Sequence, residues 1–179
     1  MSLASSALKY ADLVNSGCVW TAKSATTACV VAPPTTASIL SIQNGEADGG
    51  KSYVFMALGA INIVNVASLS DFGLLYSIQL IKPATALTSD VTPTAMKPRV
   101  GTYGGNALVD NAATVVDNGW YPIGNSNINN LATVPGATIW IPLDGLIVIP
   151  PGGVLALSAI GSTTAVTVQI SATWCEINL

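Results

Sequence analysis

The C-terminal segment alternates with a period of two, and that pattern constrains the fold more than any other. From Ala165 to Ile177, Val166, Val168, Ile170, Ala172 and Trp174 fall on one side. Thr167, Gln169, Ser171 and Thr173 fall on the other. Successive strand side chains point to opposite faces of a sheet. One apolar and one polar face is the signature of an antiparallel sheet that covers a core on one side and meets water on the other.

The same period recurs upstream. Ser38 to Gln43 alternates, Lys51 to Leu58 and Ala60 to Val66 are β-rich runs split at Gly59, and Leu74, Tyr76, Ile78 and Leu80 share a face. Thr138 to Pro142 and Leu146 to Ile149 are apolar runs separated by Asp144-Gly145, a hairpin signal. Pro150-Pro151-Gly152-Gly153 makes a stiff corner before the strand Val154 to Ile160. Short strands with Gly, Pro, Asn and Asp between them predict an all-β sandwich or barrel over residues 36–179.

Residues 1–35 read differently. Leu3, Ala7, Leu8, Ala11 and Val14 recur at helical spacing, Ser5 or Ser6 can cap, and Gly17 can stop the helix. So short a helix needs a surface to lie on. The segment is expected to be an N-terminal arm, anchored through Leu3, Leu8, Leu13 and Val14. Its start has neither a basic n-region nor a compact apolar core, so no secretory signal is expected.

Composition narrows the function. Half the residues (50%) are hydrophobic and only 8% are charged, against about 25% charged in an ordinary soluble chain. Either the surface is buried against partners, or the chain sits in lipid. The best membrane candidate, Tyr53 to Leu69, holds Gly59, Asn62 and Asn65 and is rich in β-branched and aromatic residues, so it reads as strand. The 6% aromatic content argues against the girdles of a membrane barrel. Six basic residues are scattered, clustering only at Lys97-Pro98-Arg99, and the net charge is −3. Nucleic-acid binding needs more positive charge than that.

Chemistry is sparse. There is no histidine, which removes Ser-His-Asp and Cys-His catalysis. Cys18, Cys29 and Cys175 have neither metal-site nor framework spacing. Cys18 and Cys29 could meet across a hairpin, but free thiols in a reducing cytosol are the expectation. Asn44-Gly45-Glu46-Ala47-Asp48-Gly49-Gly50 offers oxygen ligands for calcium but lacks EF-hand spacing, and reads as a solvated hairpin tip. No cofactor, metal site or enzymatic activity is expected. Trp20, Trp120, Trp140 and Trp174 could be platforms that stack on sugars, but Trp140 and Trp174, in strands, are assigned to core or subunit interface. Trp120 and Tyr121, with Asn125, Asn127 and Asn129, form a candidate interaction loop in the Gly- and Asn-rich middle of the chain.

The run Trp140 to Gly153, then Leu155-Ala156-Leu157, closed by Ala172-Thr173-Trp174-Cys175-Glu176-Ile177, resembles tailed-bacteriophage virion proteins with a jelly-roll sandwich. These include head decoration (cement) proteins and fibre-like appendages, in which a PPGG corner and a final strand ending in an aromatic-x-Glu recur. The resemblance covers about the last 40 residues well. It implies a jelly-roll β-sandwich that trimerises and sits on a capsid surface, made in the host cytoplasm and carried on the virion. A glycan-binding fibre head and a jelly-roll shell protein are the alternatives it leaves open.

Overall fold

The computed structural model describes residues 3–64, 70–79, 87–97, 101–115, 119–128 and 138–179. Among the described residues, one helix, α1 (Leu3–Ser16), precedes eleven strands. These are β1 (Val19–Lys23), β2 (Thr27–Ala28), β3 (Leu40–Asn44), β4 (Ser52–Val64), β5 (Ser70–Gln79), β6 (Thr94–Ala95), β7 (Ala107–Asn111), β8 (Tyr121–Ile128), β9 (Thr138–Ile149), β10 (Val154–Gly161) and β11 (Thr167–Ile177). No described helix is long and apolar enough to cross a membrane.

The strands form two antiparallel sheets. The first runs β6-β1-β11-β4-β9, with β2 also on β11; the second runs β7-β3-β10-β5-β8. Alternation along β11 is as the sequence predicts: Val168, Ile170, Ala172 and Trp174 are buried, and the residues between Thr167 and Thr173 on the other face are half-exposed. The inner faces of both sheets supply one core, including Trp174, Tyr53, Phe55, Leu58 and Ile149 from the first and Phe72, Leu74, Leu40, Leu155 and Leu157 from the second.

The prolines and glycines after β9 carry the chain from one sheet to the other. At this corner Gly152 N–H donates to the Asn44 carbonyl (2.7 Å) and Asn44 N–H donates to the Gly153 carbonyl (2.9 Å). A β-carbon on Gly153 would stand 3.0 Å from Ile149 Cγ2 and 3.1 Å from the Gln79 carbonyl oxygen. The corner therefore closes tightly only with glycine there.

Two expectations change. Asp144-Gly145 does not end a strand. Ile147 pairs with Phe55 and Pro142 with Ala57, so both halves of β9 lie along β4, and residues 143–146 bulge out opposite Met56. Asp144 and Gly145 have φ of 50° and 86°, the left-handed backbone that a hairpin turn also uses. Of the 1–35 segment expected to be an arm, α1 lies outside the sheets. Val19–Lys23 is an inner strand between β6 and β11, and Thr27–Ala28 pairs with β11.

The cysteines also depart from expectation. Cys18 and Cys175, 157 positions apart in sequence, form a disulfide with Cα atoms 5.2 Å apart. Cys29 is a buried free thiol, and burial pushes its pKa up to about 11.

Candidate interaction surface

Strands β8 and β9 are the edges of their sheets on the same flank of the sandwich, and Gly124 of β8 packs directly on Ile139 and Ile141 of β9. Large apolar side chains gather on this flank. Leu146 is 83% exposed, Trp140 64%, Tyr121 55% and Val148 37%. Neither strand carries a lysine or arginine, and Asp144 is the single charge on them. Open sheet edges are usually guarded by charge or proline. Here Pro122 and Pro142, paired with Leu75 and Ala57, each take one backbone donor out of an edge strand.

The outer face of the first sheet divides at the β9 bulge. On one side lies α1. Its Tyr10 hydroxyl donates to the Asp144 carboxylate, and Lys97 Nζ donates to the Asn15 carbonyl. The Asp144 hydrogen bond holds the Tyr10 pKa above its ordinary value. Gly17 N–H closes the helix onto the Val14 carbonyl (3.0 Å), and the Cys18–Cys175 bond ties that end to the middle of the sheet. On the other side, Trp140 lies over Gly59. A β-carbon on Gly59 would stand 3.1 Å from Trp140 Cε3 and 2.8 Å from Ser171 Oγ.

The second sheet carries an open groove of about 540 Å³ lined by residues that include Asp71, Gly73, Gly124, Asn125 and Ser162. Inside the sandwich a polar network centres on the carboxylate of Glu176, which is 5% exposed. Its Oε1 accepts from the Tyr103 hydroxyl (2.5 Å) and from Trp174 Nε1–H (3.2 Å), and the Tyr103 oxygen accepts from Ala107 N–H (2.7 Å). Burial first, then the bond to Glu176, raises the Tyr103 pKa; burial likewise raises that of Tyr53. This network joins the C-terminal strand to the loop before β7. Among the described residues no cluster of three or more His, Cys, Asp or Glu stands ready for a metal ion. In the Glu46–Asp48 tip, Asn44 is structural: its Nδ2 donates to the Lys51 and Ile149 carbonyls (2.8 and 3.0 Å).

The residues singled out from sequence are dispersed. Residues 121–128 are the edge strand β8 rather than a loop. Trp120 is half-buried against a small second cluster that includes Leu87, Val115 and Val154. Tyr121 is exposed and packs on Tyr76, ring centroids 5.7 Å apart. Asn125 is exposed in the groove. Asn127 pairs through its backbone with Asp71, its side chain lies outside the description, and Asn129 lies outside the described residues. Leu3 and Leu8 lie on α1, with side chains outside the description, while Leu13 and Val14 are half-buried. Sequence reasoning missed Leu146 and Val148 as surface residues. Their signal was the β9 alternation Leu146-Ile147-Val148-Ile149, in which every position is apolar and the phase is hidden.

No protein-family model matches the chain, and no curated protein matches it.

Proposed function

We propose that this chain is a structural virion protein, a capsid decoration or cement subunit that forms a homotrimer and binds the capsid surface of a tailed bacteriophage. We read its sandwich as a jelly roll. Setting aside the two-residue β2 and β6 and the additional edge strand β7, the remaining strands taken in chain order as 1 to 8 pair as 1-8, 3-6, 2-7 and 4-5. That is the order of one long double ribbon rolled into two sheets, and it supports the jelly-roll reading.

The observation that carries the role is the β8/β9 flank, where Asp144 is the single charge and Leu146, Val148 and Tyr121 are open to water. Burying such side chains against a copy or a shell contributes ~25 cal/mol per Å², less the cost of association. Few charges there means little desolvation to oppose docking. The surface as a whole follows the same pattern, since only 8% of residues are charged. Mechanically, such a subunit braces neighbouring capsomers. It is made in the host cytoplasm, where thiols stay reduced, and the Cys18–Cys175 bond closes after release.

The alternative of a glycan-binding fibre head built on the Trp120–Asn130 segment has less support, because Trp120 is half-buried and Tyr121–Ile128 is sheet. The test is co-sedimentation of purified subunit with stripped heads of its phage. Saturable binding at high copy number, with greater resistance of the heads to heat, is expected. Absence of binding overturns the proposal.

A further inference from the structure

We propose that the outer face of the first sheet around Trp140 is a binding platform for a neutral polysaccharide chain. The site starts from the register. Trp140, Gly59, Ser171 and Lys23 form one row across strands β9, β4, β11 and β1. Beside it run Thr138, Ile61 and Gln169 on one side, and Pro142, Ala57, Thr173 and Thr21 on the other. Alternation turns all of these to the same outer face as Trp140.

Gly59 is what makes the platform. With only hydrogen on its α-carbon, the benzo edge of Trp140 (Cε3, Cζ3) rests on the sheet, and any side chain there would press on it. The indole is 64% exposed, so it is supported from beneath and open above. Aromatic faces of this kind bind ligands that have one apolar and one polar aspect. A pyranose ring is such a ligand: its C–H face stacks and its hydroxyls point outward to hydrogen-bond partners.

The surroundings supply those partners. The floor beyond the indole is made of short hydroxyls and one amide: Ser171, Thr173, Thr21, Thr138 and Gln169. Within the sheet the Thr21 hydroxyl donates to the Ala172 carbonyl (3.1 Å), the Thr173 hydroxyl to Thr21 Oγ1 (3.2 Å) and Gln169 Nε2 to the Ser24 carbonyl (3.0 Å), so what this floor offers a ligand is acceptor oxygens, which sugar hydroxyls can meet and an apolar protein surface cannot. Lys23 at the far end is the single charge in these rows, and the chain carries a net −3. Both features select a neutral glycan over a polyanionic one. The site is flat and four strands wide, ~14 Å from Trp140 to Lys23 at the usual strand spacing, which fits a run of sugar units better than a single small molecule. Of the apolar side chains that a second copy would bury, Leu146 lies in the bulge and Val148 beyond it.

Intrinsic fluorescence tests this on the full chain. Trp20 and Trp174 are buried and Trp120 is half-buried, so the exposed Trp140 is the tryptophan most open to ligand-dependent change. Titrate with hexasaccharides of β-1,4-glucose, β-1,4-N-acetylglucosamine, α-1,6-glucose and α-1,6-mannose, with heparin as the polyanionic control. A saturable shift with at least one neutral probe is expected, weakened more than tenfold in Trp140→Ala and several-fold in Ser171→Ala, but retained in part by Trp140→Phe. Far-ultraviolet dichroism shows that each variant folds. The proposal is overturned if no neutral probe binds, if heparin binds more tightly than all of them, or if Trp140→Ala binds as the native chain does. It is also overturned if Trp140→Ala lowers the solution mass of the native assembly, since the face then belongs to a second copy.

Discussion

Trp174 and Trp140 stand two strands apart in one sheet and do opposite things. Trp174 is fully buried, flanked by Tyr53 and Phe55 with ring centroids 6.3 and 6.1 Å away, and its Nε1–H reaches Glu176. Trp140 sits on the outer face over a glycine. Both look like strand tryptophans in sequence. The difference lies in the phase of the alternation, and phase is fixed by pairing with β4. It teaches that the part of the sheet around Trp174 holds the molecule together, whereas the part around Trp140 is free to meet something else.

The largest effect should come from Trp174→Ala. Removing a buried aromatic of this size costs ~3–5 kcal/mol, and urea unfolding should show a midpoint lowered accordingly. A loss under about 1 kcal/mol, close to the extrapolation error of such measurements, would break the contrast. Reducing the Cys18–Cys175 bond comes next. Loss of a native disulfide costs ~2–4 kcal/mol, so dithiothreitol should lower the thermal midpoint and speed amide exchange in α1, leaving β8 and β9 unchanged.

Tyr103→Phe is smaller, about 1–3 kcal/mol, because it leaves the Ala107 N–H without its acceptor and takes one donor from Glu176. Buried acids in the core set an alkaline limit. Cys29 titrates ordinarily near 9.0 and in the fold near 11, so the folded state holds its proton when the unfolded chain has lost it. Stability is full below the lower value and falls as pH rises through the higher. Tyr53 and Tyr103, also raised, act in the same direction. Urea midpoints measured across that range should decline; a flat profile would contradict the burial of these groups. Trp140→Ala closes the series, with a change within about 0.5 kcal/mol.

Local signals were readable where each residue decides its own neighbourhood. The alternation from Val166 to Trp174 gave the inward set, the proline-glycine corner gave the turn after β9, and Gly17 gave the end of α1. What escaped depends on partners far along the chain. Val19–Lys23 is an inner strand only because β11, at the other end of the sequence, pairs with it. Cys18 meets Cys175 for the same reason. Asp144-Gly145 has turn chemistry whether the chain reverses or bulges, and only the common partner β4 distinguishes the two. Trp120 to Asn130 is rich in loop-forming residues, yet β5 recruits residues 121–128 as an edge.

The central claim is that the β8/β9 flank is an assembly surface. Light scattering coupled to size exclusion measures it most directly, over a concentration series, for the native chain and for Leu146→Asp/Val148→Asp. The account predicts a discrete mass of three times the 18.2 kDa chain for the native protein and a monomer for the double variant. A native chain that stays monomeric at every concentration, or a double variant with the native mass, would contradict it.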